Sequence, residues 1–185
     1  MLITAAHCFR TGQRVYTAAG TTGAFGNHRT GNYVGTVGTR NTEWDAEPLT
    51  GTTNNADESD TTGWKPLTSV AYSYVGDYVC QDGAASFFLG HPTPCGITVT
   101  DGDIWFAIGG HLARGVEGVD VRHGWGSHAG DSGATVFAVE PGNKRQARGI
   151  VSSGGLDGTP DQKRVDWTEA VDIFRTFGLV LNPKT

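Results

Sequence analysis

The sequence predicts an all-β protein, for three reasons. Glycine contributes 28 of the 185 residues, a content typical of a chain with many tight turns. Between the glycines lie short runs that carry Val, Ile, Thr and Tyr, and such runs favour strands. Charged residues make up only 18% of the chain. The length allows one domain or two small ones.

Strands are predicted where apolar residues cluster or alternate over short stretches. The first is the apolar run that ends at His7. The others lie at residues 14–19, 33–39, 78–81, 104–108, 116–121, 135–139 and 148–152. Residues 50–63 are polar, which predicts a surface loop, and residues 64–75 are predicted to connect two halves of the chain.

One helix is predicted near the end of the chain. Asp166 followed by Glu169 fits a capping pattern, in which the Asp side chain accepts an exposed backbone N–H. Gly178 supplies a stop signal. The apolar positions between them recur at helical spacing and indicate a packing face: Ala170, Val171, Phe174 and Phe177.

The charge of the chain excludes several classes of partner. A formal net charge of −5 argues against nucleic acid and against an anionic membrane surface, because both require clustered Lys and Arg. One local basic group, at Lys144, Arg145 and Arg148, is interpreted as a solvated hairpin tip. No apolar run approaches the roughly 20 residues that span a bilayer. We therefore expect no nucleic-acid partner and no membrane partner.

The three cysteines are Cys8, Cys80 and Cys95. The last two lie in a stretch rich in glycine and predicted strands, and their spacing there indicates a loop-closing disulfide rather than a metal site. Zinc sites usually contain more closely spaced Cys or His pairs, so no metal and no cofactor is expected. A disulfide implies an oxidising compartment. No signal peptide is visible, and a secreted location is predicted from this chemistry and from the resemblance given below.

Three short segments could carry chemistry. In Ile3-Thr4-Ala5-Ala6-His7-Cys8 a strand runs into a turn of small residues that ends on a histidine, which alone is more typical of a structural His. In Gly130-Asp131-Ser132-Gly133 the glycines allow the backbone to present a hydroxyl and N–H groups to one point, as an acyl-transfer nucleophile requires. Alone, this segment could equally be a β-turn. The third segment, Trp44-Asp45-Ala46, places an acid beside an apolar flank.

Together, and in this order, the three segments resemble the chymotrypsin-like serine proteases. The segment Val75-Gly76-Asp77-Tyr78-Val79-Cys80, followed by Cys95-Gly96, resembles the disulfide loop of secreted actinobacterial members such as the streptogrisins. The segment Gly149-Ile150-Val151-Ser152-Ser153-Gly154 resembles the strand that pairs with substrate beside the specificity pocket. The terminal helix also lies where the family has one.

The resemblance implies two antiparallel six-stranded β-barrels, the first of them incomplete, with a C-terminal α-helix. Residues 1–70 would form the first barrel with His7 and Asp45, and residues 71–185 the second barrel with Ser132 and the helix. It implies a monomeric, secreted serine endopeptidase that hydrolyses peptide or protein substrates through an acyl-enzyme. The remaining roles fall to the N–H groups of Gly130 and Ser132 as the oxyanion hole, and to Gly126, Ser127, Ser152, Ser153 and Gly154 as substrate-binding residues.

Alternatives to these assignments remain open. Asp57 and Asp60 could replace Asp45, although both lie in the polar loop. Asp131 precedes the serine and is interpreted as structural. The other histidines are predicted at the surface, with the last two near the pocket: His28, His91, His111, His123 and His128. No acidic residue occurs at Gly126 or Ser127, so a preference for Lys or Arg is not expected, and an open pocket for medium or large apolar side chains is predicted.

The sequence departs from the family in two places. Ala134 and Thr135 follow the serine motif where relatives usually have Gly-Pro, and an added methyl could shift the nucleophile. Relatives also have a segment before the His motif, whereas here Met1 lies six residues before His7. We therefore expect a truncated chain with an open first barrel, an edge-like first strand and an unpaired Cys8. These departures favour an alternative function, that of an inactive homologue serving as a peptide-binding or structural module.

Overall fold

A computed structural model describes residues 1–16, 32–51, 56–60 and 63–181, with Ser59 and Asp60 described by their backbone alone. Its strands form a four-stranded sheet and an eight-stranded sheet, and two helices accompany them. The all-β prediction, with a helix near the end of the chain, is confirmed.

The four-stranded sheet is built from the first part of the chain. Its order is β1-β4-β3-β2, with every pair antiparallel. Among the described strands, β1 pairs with β4 alone and lies at the edge of this sheet, in line with the edge-like first strand that the sequence predicts. The predicted strand at residues 14–19 is described as far as Tyr16. The strands are β1 (Leu2–Ala5), β2 (Arg14–Tyr16), β3 (Tyr33–Val37) and β4 (Ala46–Thr50).

Six strands of the larger sheet close into a barrel. Their order is β10-β7-β8-β9-β12-β11, and a further pairing of β10 with β11 closes the ring. β6 adds to β11 in parallel, and β5 pairs with β6. The strands are β5 (Asp57–Asp60), β6 (Gly63–Val70), β7 (Tyr78–Gln81), β8 (Cys95–Ile108), β9 (His111–Val119), β10 (Thr135–Glu140), β11 (Lys144–Gly154) and β12 (Arg164–Glu169).

The β5–β6 hairpin lies where the sequence predicts a polar surface loop and a connection. A buried ion pair explains the difference, since Arg145 Nε on β11 lies 3.0 Å from Glu58 Oε1 on β5. The predicted solvated basic hairpin tip is therefore wrong for Arg145, which is buried and paired with Glu58. Arg148 is also paired, with its Nη1 2.6 Å from Asp77 Oδ2. Because β6 pairs with β11, it joins the larger sheet, and the division of the chain at residue 70 stays a prediction.

The terminal helix, α2 (Ala170–Phe177), begins after Glu169 and ends at Gly178, whose φ of 61° closes the last turn. Asp166 does not cap it, contrary to the sequence prediction. It lies on β12, where its buried carboxylate pairs with Arg164. A second helix, the single-turn α1 (Ala84–Phe88), has no periodic signal in the sequence. Within the described residues, neither helix is long and apolar enough to cross a bilayer.

Two apolar clusters matter for the site. One fills the barrel and comprises Val79, Ile97, Val99, Val116, Val136, Val151, Val165 and Trp167. The other joins the two sheets, because Ala46 of β4 packs with Ile150 of β11 and Ile173 of α2. Four partly buried residues pack against this second cluster: Ile3, Trp44, Phe177 and Leu179. It therefore packs the four-stranded sheet against the barrel and the helix.

The predicted disulfide between Cys80 and Cys95 is confirmed, with a Cα–Cα distance of 4.1 Å across strands β7 and β8. Cys8 is exposed and free of any disulfide. The bridge closes the loop that carries α1, so it restrains the position of that helix relative to the barrel.

Replacing both Cys80 and Cys95 by Ser should lower the free energy of unfolding by about 3 kcal/mol, the loop-closure value for a bridge of this span. Denaturant unfolding measures this difference. The control is Cys8→Ser, which should change stability by no more than about 0.5 kcal/mol, as exposed substitutions do. Peptide mapping that finds Cys8 crosslinked to either of the other cysteines would contradict the pairing.

Candidate active site

His7 is held at the end of β1 by a tight turn. The N–H of Cys8 donates to the carbonyl of Ala5 at 3.1 Å, and the N–H of Ala6 donates to the carbonyl of Asp45 at 2.8 Å. Ala5 and Ala6 are fully buried, so only small side chains fit this turn. The imidazole that follows is mostly buried, with 15% of its side chain exposed.

Asp45 is a fully buried carboxylate in the turn before β4. Its backbone has a φ of 39°, in the left-handed region that Asp tolerates better than most residues. The neighbouring Trp44 N–H donates to Asn41 Oδ1 at 2.9 Å and fixes the turn. Asp45 Oδ1 accepts the backbone N–H of His7 at 2.9 Å, and Oδ2 lies 2.7 Å from His7 Nδ1. Two bonds to one residue thus fix the orientation of the ring.

Ser132 completes a continuous chain of hydrogen bonds. Its Oγ lies 2.8 Å from His7 Nε2, on the side of the ring opposite Asp45. The structure therefore brings the three predicted residues together, although 125 positions separate His7 from Ser132. Of the alternative acids, Asp57 lies on β5 opposite Pro66. The side chain of Asp60 lies outside the described part of the chain.

The environment of His7 favours its protonated form. Burial lowers the pKa of His7, but the hydrogen bond to Asp45 raises it, and Cys8 and the charge of Asp45 add to this increase. The net result is a pKa of His7 above its ordinary value. With Nδ1 directed at the Asp45 carboxylate, the neutral ring carries its proton on Nδ1, which leaves the lone pair of Nε2 facing Ser132.

Two backbone N–H groups beside Ser132 remain free. Within the described residues, neither the N–H of Gly130 nor that of Ser132 donates a hydrogen bond, while the N–H groups of Asp131, Gly133 and Ala134 all do. Gly130 has a φ of 106°, a conformation that other residues rarely adopt. Two unpaired donors next to a hydroxyl are the elements of an oxyanion-binding site.

Gly133, which follows Ser132, must be glycine because it lies against β1. A Cβ at this position would lie 2.4 Å from Thr4 Oγ1 and 3.1 Å from the backbone N of Ala5. The serine loop of the barrel therefore contacts β1 of the other sheet at closest range. The contacted residues lie two and three positions before His7 in the chain, and Gly133 directly follows Ser132.

Ala134, the first departure from the family pattern, fits the barrel without strain. Its methyl packs against the apolar cluster of the barrel. Its N–H donates to the carbonyl of Asp131 at 2.9 Å, and its carbonyl accepts the N–H of Val151 at 2.9 Å. The methyl thus has a packing role in the barrel, and the His7–Ser132 contact measures 2.8 Å.

The predicted substrate-binding strand lies at the end of β11. Ser153 pairs with Asp166 and Gly154 with Val165 on β12, and a register shift leaves Ser152 out of the ladder. Along residues 152–154, no other described strand pairs with β11, so the opposite edge is free to accept an extended peptide.

The residues predicted to form the specificity pocket are closely packed. A Cβ at Gly154 would lie 2.1 Å from Ser127 Oγ, and Ser127 is only 3% exposed. Behind this wall, Arg164 Nη2 donates to the carbonyl of Gly154 at 3.3 Å, while its Nη1 pairs with the buried Asp166. Gly126 N donates to the carbonyl of Gln162 at 3.0 Å, which links the floor of the pocket to the loop before β12.

The other histidines have varied settings. His123 is exposed, as predicted, and His28 lies outside the described residues. His91 stacks on Trp125 at 3.8 Å between ring centroids, and His128 Nε2 lies 2.6 Å from Asp157 Oδ2. His111 is the unexpected one, since its Nε2 lies 3.4 Å from Asp45 Oδ1. No local signal marks it, because only the β8–β9 hairpin brings it to the site. Among the described residues, no group of three His, Cys, Asp or Glu side chains could hold a metal ion.

Comparisons with known proteins rest on structure. No family model matches the chain, and a search of curated proteins finds no match. Thermobifida fusca protease A superposes with a TM-score of 0.71 and 20% identity, over 98% of this chain and 84% of that one. Cellulomonas bogoriensis chymotrypsin gives 0.68 and 22%, over 97% and 84%. A Nocardiopsis protease gives 0.68 and 17%, over 99% and 84%.

These similarities cover both sheets and the terminal helix, and they agree with the family resemblance of the sequence motifs. At this level of identity, they establish the fold. The chain has the chymotrypsin-like fold of these actinobacterial serine proteases.

Proposed function

We propose that this protein is a serine endopeptidase in which His7, Asp45 and Ser132 form the catalytic triad. One observation carries the proposal: an unbroken hydrogen-bond chain from a buried carboxylate through an imidazole to a hydroxyl that lies beside two free N–H groups. Such an arrangement suits acyl transfer. The chymotrypsin-like fold supports a protease in general.

The first half of the reaction forms an acyl-enzyme. Ser132 Oγ attacks the scissile carbonyl carbon while His7 Nε2 accepts the hydroxyl proton. The carbonyl oxygen becomes an oxyanion that accepts the N–H groups of Gly130 and Ser132, each worth about 3–4 kcal/mol in the transition state. His7 then gives its proton to the leaving amine as the C–N bond breaks, and the acyl group stays on Ser132.

The second half repeats these steps with water. His7 removes a proton from the water, whose oxygen attacks the acyl carbon. The bond between the acyl carbon and Ser132 Oγ then breaks as His7 returns the proton to Oγ. Asp45 holds the imidazole in the reactive tautomer and stabilises the imidazolium in both halves. The raised pKa of His7 is the ground-state measure of this stabilisation.

The substrate is proposed to be a peptide in extended conformation. Its backbone would add to the free edge of residues 152–154, with Ser152, Ser153 and Gly154 supplying main-chain hydrogen bonds. The disulfide supports action in an oxidising compartment, and hence outside the cell. Action as a monomer stays a prediction.

The alternative function, an inactive binding module, rests on the methyl of Ala134 and the opening of the chain. The methyl packs into the barrel, and the triad atoms lie within hydrogen-bond distance of one another, which favours the protease over the binding module.

Ser132→Ala should abolish covalent labelling by a fluorophosphonate probe and hydrolysis of peptide substrates, because the nucleophile is gone. Mass spectrometry of labelled protein measures the first, and a peptidase assay measures the second. Ser69→Ala, on β6, is the matched control and should leave both unchanged. Labelling of the folded Ser132→Ala protein would refute the assignment, and a folded wild-type protein that is never labelled would favour the binding module.

Asp45→Asn should lower kcat about 10⁴-fold, since the amide holds the imidazole in the wrong tautomer. It should also shift the acid limb of the pH–rate profile to lower pH. His7 must be neutral to accept a proton, so the rate falls as pH falls through its pKa, and the carboxylate that raises that pKa is lost. The profile of kcat/KM against pH measures this shift.

Asp57→Asn is the control for this variant, because it removes the alternative acid. It should leave the rate and the pH profile unchanged. A loss with Asp57→Asn as large as that with Asp45→Asn would overturn the choice of triad acid.

Cleavage should favour small side chains at the scissile residue, in place of the large apolar ones that the sequence alone predicts. Ser127 Oγ occupies the space in front of Gly154, which leaves little room for a large side chain. The nearby carboxylate of Asp166 is already paired with Arg164, so it does not favour binding of Lys or Arg. Ser127→Gly should raise kcat/KM for Leu or Phe relative to Ala by about tenfold, as the pocket gains room.

Gly154→Ala narrows the same space from the other wall and should act in the opposite direction. A peptide library scored for all three proteins checks both variants. A wild-type profile dominated by large apolar, basic or acidic side chains would contradict the role of Ser127.

A further inference from the structure

Asp131 is a buried carboxylate that no described ion pair balances. Neutral groups satisfy it instead. Oδ1 accepts the backbone N–H of Ser86 at 2.9 Å, and Oδ2 accepts the hydroxyl of Ser86 at 2.5 Å and the backbone N–H of His128 at 2.8 Å. Gln81 Nε2 adds a longer bond to Oδ2 at 3.3 Å. Because Asp131 lies between Gly130 and Ser132, whatever holds its carboxylate also holds the two free N–H groups.

Ser86 makes the shortest hydrogen bond to the Asp131 carboxylate, through its hydroxyl, and a second one through its backbone N–H. Its hydroxyl donates to Asp131, and the same oxygen accepts Gln81 Nε2 at 3.1 Å and Trp125 Nε1 at 2.8 Å. A serine hydroxyl can donate one hydrogen bond and accept two, so all the hydrogen bonds that the Ser86 hydroxyl can make are formed. Ser86 is fully buried, so water cannot replace a bond that is lost.

The fit around Asp131 is close on every side. A Cβ at Gly83 would lie 2.1 Å from Asp131 Oδ1, so the chain entering α1 must be glycine there. Gln81 also donates to the carbonyl of Gly126 at 3.3 Å, which ties the pocket floor into the same network. The network thus connects β7, α1, the pocket floor and the serine loop.

We propose that Ser86 is a positioning residue for the oxyanion hole. Through Asp131 it holds the serine loop in the conformation that leaves the N–H groups of Gly130 and Ser132 free to bind the oxyanion. This inference rests on the proposed function. Among the described residues, the donors to Asp131 are neutral groups, and α1 contributes two of them through Ser86.

The chain contains a matched control for this role. Ser73 donates its backbone N–H and its hydroxyl to the two oxygens of the buried Glu169, at 2.8 and 3.2 Å. Its oxygen accepts the indole N–H of Trp167 at 3.1 Å. The Ser73–Glu169–Trp167 cluster therefore repeats the chemistry of Ser86, Asp131 and Trp125, and no described hydrogen bond connects it to the triad.

The experiment compares Ser86→Ala with Ser73→Ala in the full chain. Both variants should lower the melting temperature, because each leaves a buried carboxylate short of a donor. Ser86→Ala should in addition lower kcat about 10²-fold with KM unchanged, the loss expected when catalytic groups move by about 1 Å. Ser73→Ala should leave kcat unchanged.

A peptide aldehyde separates a positioning role from a general loss of structure. Its carbonyl carbon bonds to Ser132 Oγ and its oxygen becomes the oxyanion, so its affinity reports the N–H groups directly. Its inhibition constant should rise by the factor by which kcat/KM falls in Ser86→Ala, and should not change in Ser73→Ala. An unchanged constant, or an equal loss in both variants, would overturn the proposal.

A double-mutant cycle tests whether Ser86 acts through Asp131. In the presence of Asp131→Asn, Ser86→Ala should cost much less in kcat than it does alone. If Ser86→Ala fails to fold, Gln81→Met removes a weaker donor to the same oxygen and should give a smaller loss of the same kind. Additive losses would refute the role of Asp131. A wild-type protein without activity would refute the proposed function itself.

Discussion

The structure depends on one constraint: a single hydrogen-bond chain must cross from one β-sheet to the other. His7 and Asp45 belong to the four-stranded sheet, while Ser132 belongs to the barrel, and the contact between them measures 2.8 Å. Tight packing on both sides of the contact maintains this distance. Gly133 brings the serine loop against Thr4, and an apolar cluster centred on Ala46 joins the sheets below the site. Rigid, well-packed supports of this kind give the precision that catalysis requires.

The electrostatics of the site follow from the burial of carboxylates near His7. Burial raises the pKa of Glu47 to about 7, with Arg40 lowering it and the charge of Asp45 raising it. Glu47 is therefore partly protonated at neutral pH. The hydrogen bond to Asp45, with further contributions from Cys8 and from the charge of Asp45, explains how His7 can have a raised pKa although burial alone lowers it.

Local motifs predicted the residues whose chemistry is tied to their neighbours in the chain. The small residues before His7 and the glycines around Ser132 are such cases, as is the spacing of Cys80 and Cys95. Residues that act through distant partners gave no local signal. Glu58 becomes part of a strand because Arg145 lies across from it, and His111 meets Asp45 because a hairpin folds back. A sequence pattern does not show that Glu58 lies near Arg145 or that His111 lies near Asp45, because both contacts join residues far apart in the chain.

The two serine–carboxylate–tryptophan clusters show why a positioning residue cannot be identified from its hydrogen bonds alone. Ser73 and Ser86 make the same kinds of bond, to Glu169 and Asp131, and each accepts an indole N–H. The Ser73 cluster connects the segment before β7 to the end of β12 and has no reactive neighbour. The Ser86 cluster lies beside the proposed nucleophile because Asp131 precedes Ser132 in the chain. The difference in their roles is therefore one of position in the fold, and a buried polar network gains a function only where its rigidity is transmitted to reacting atoms.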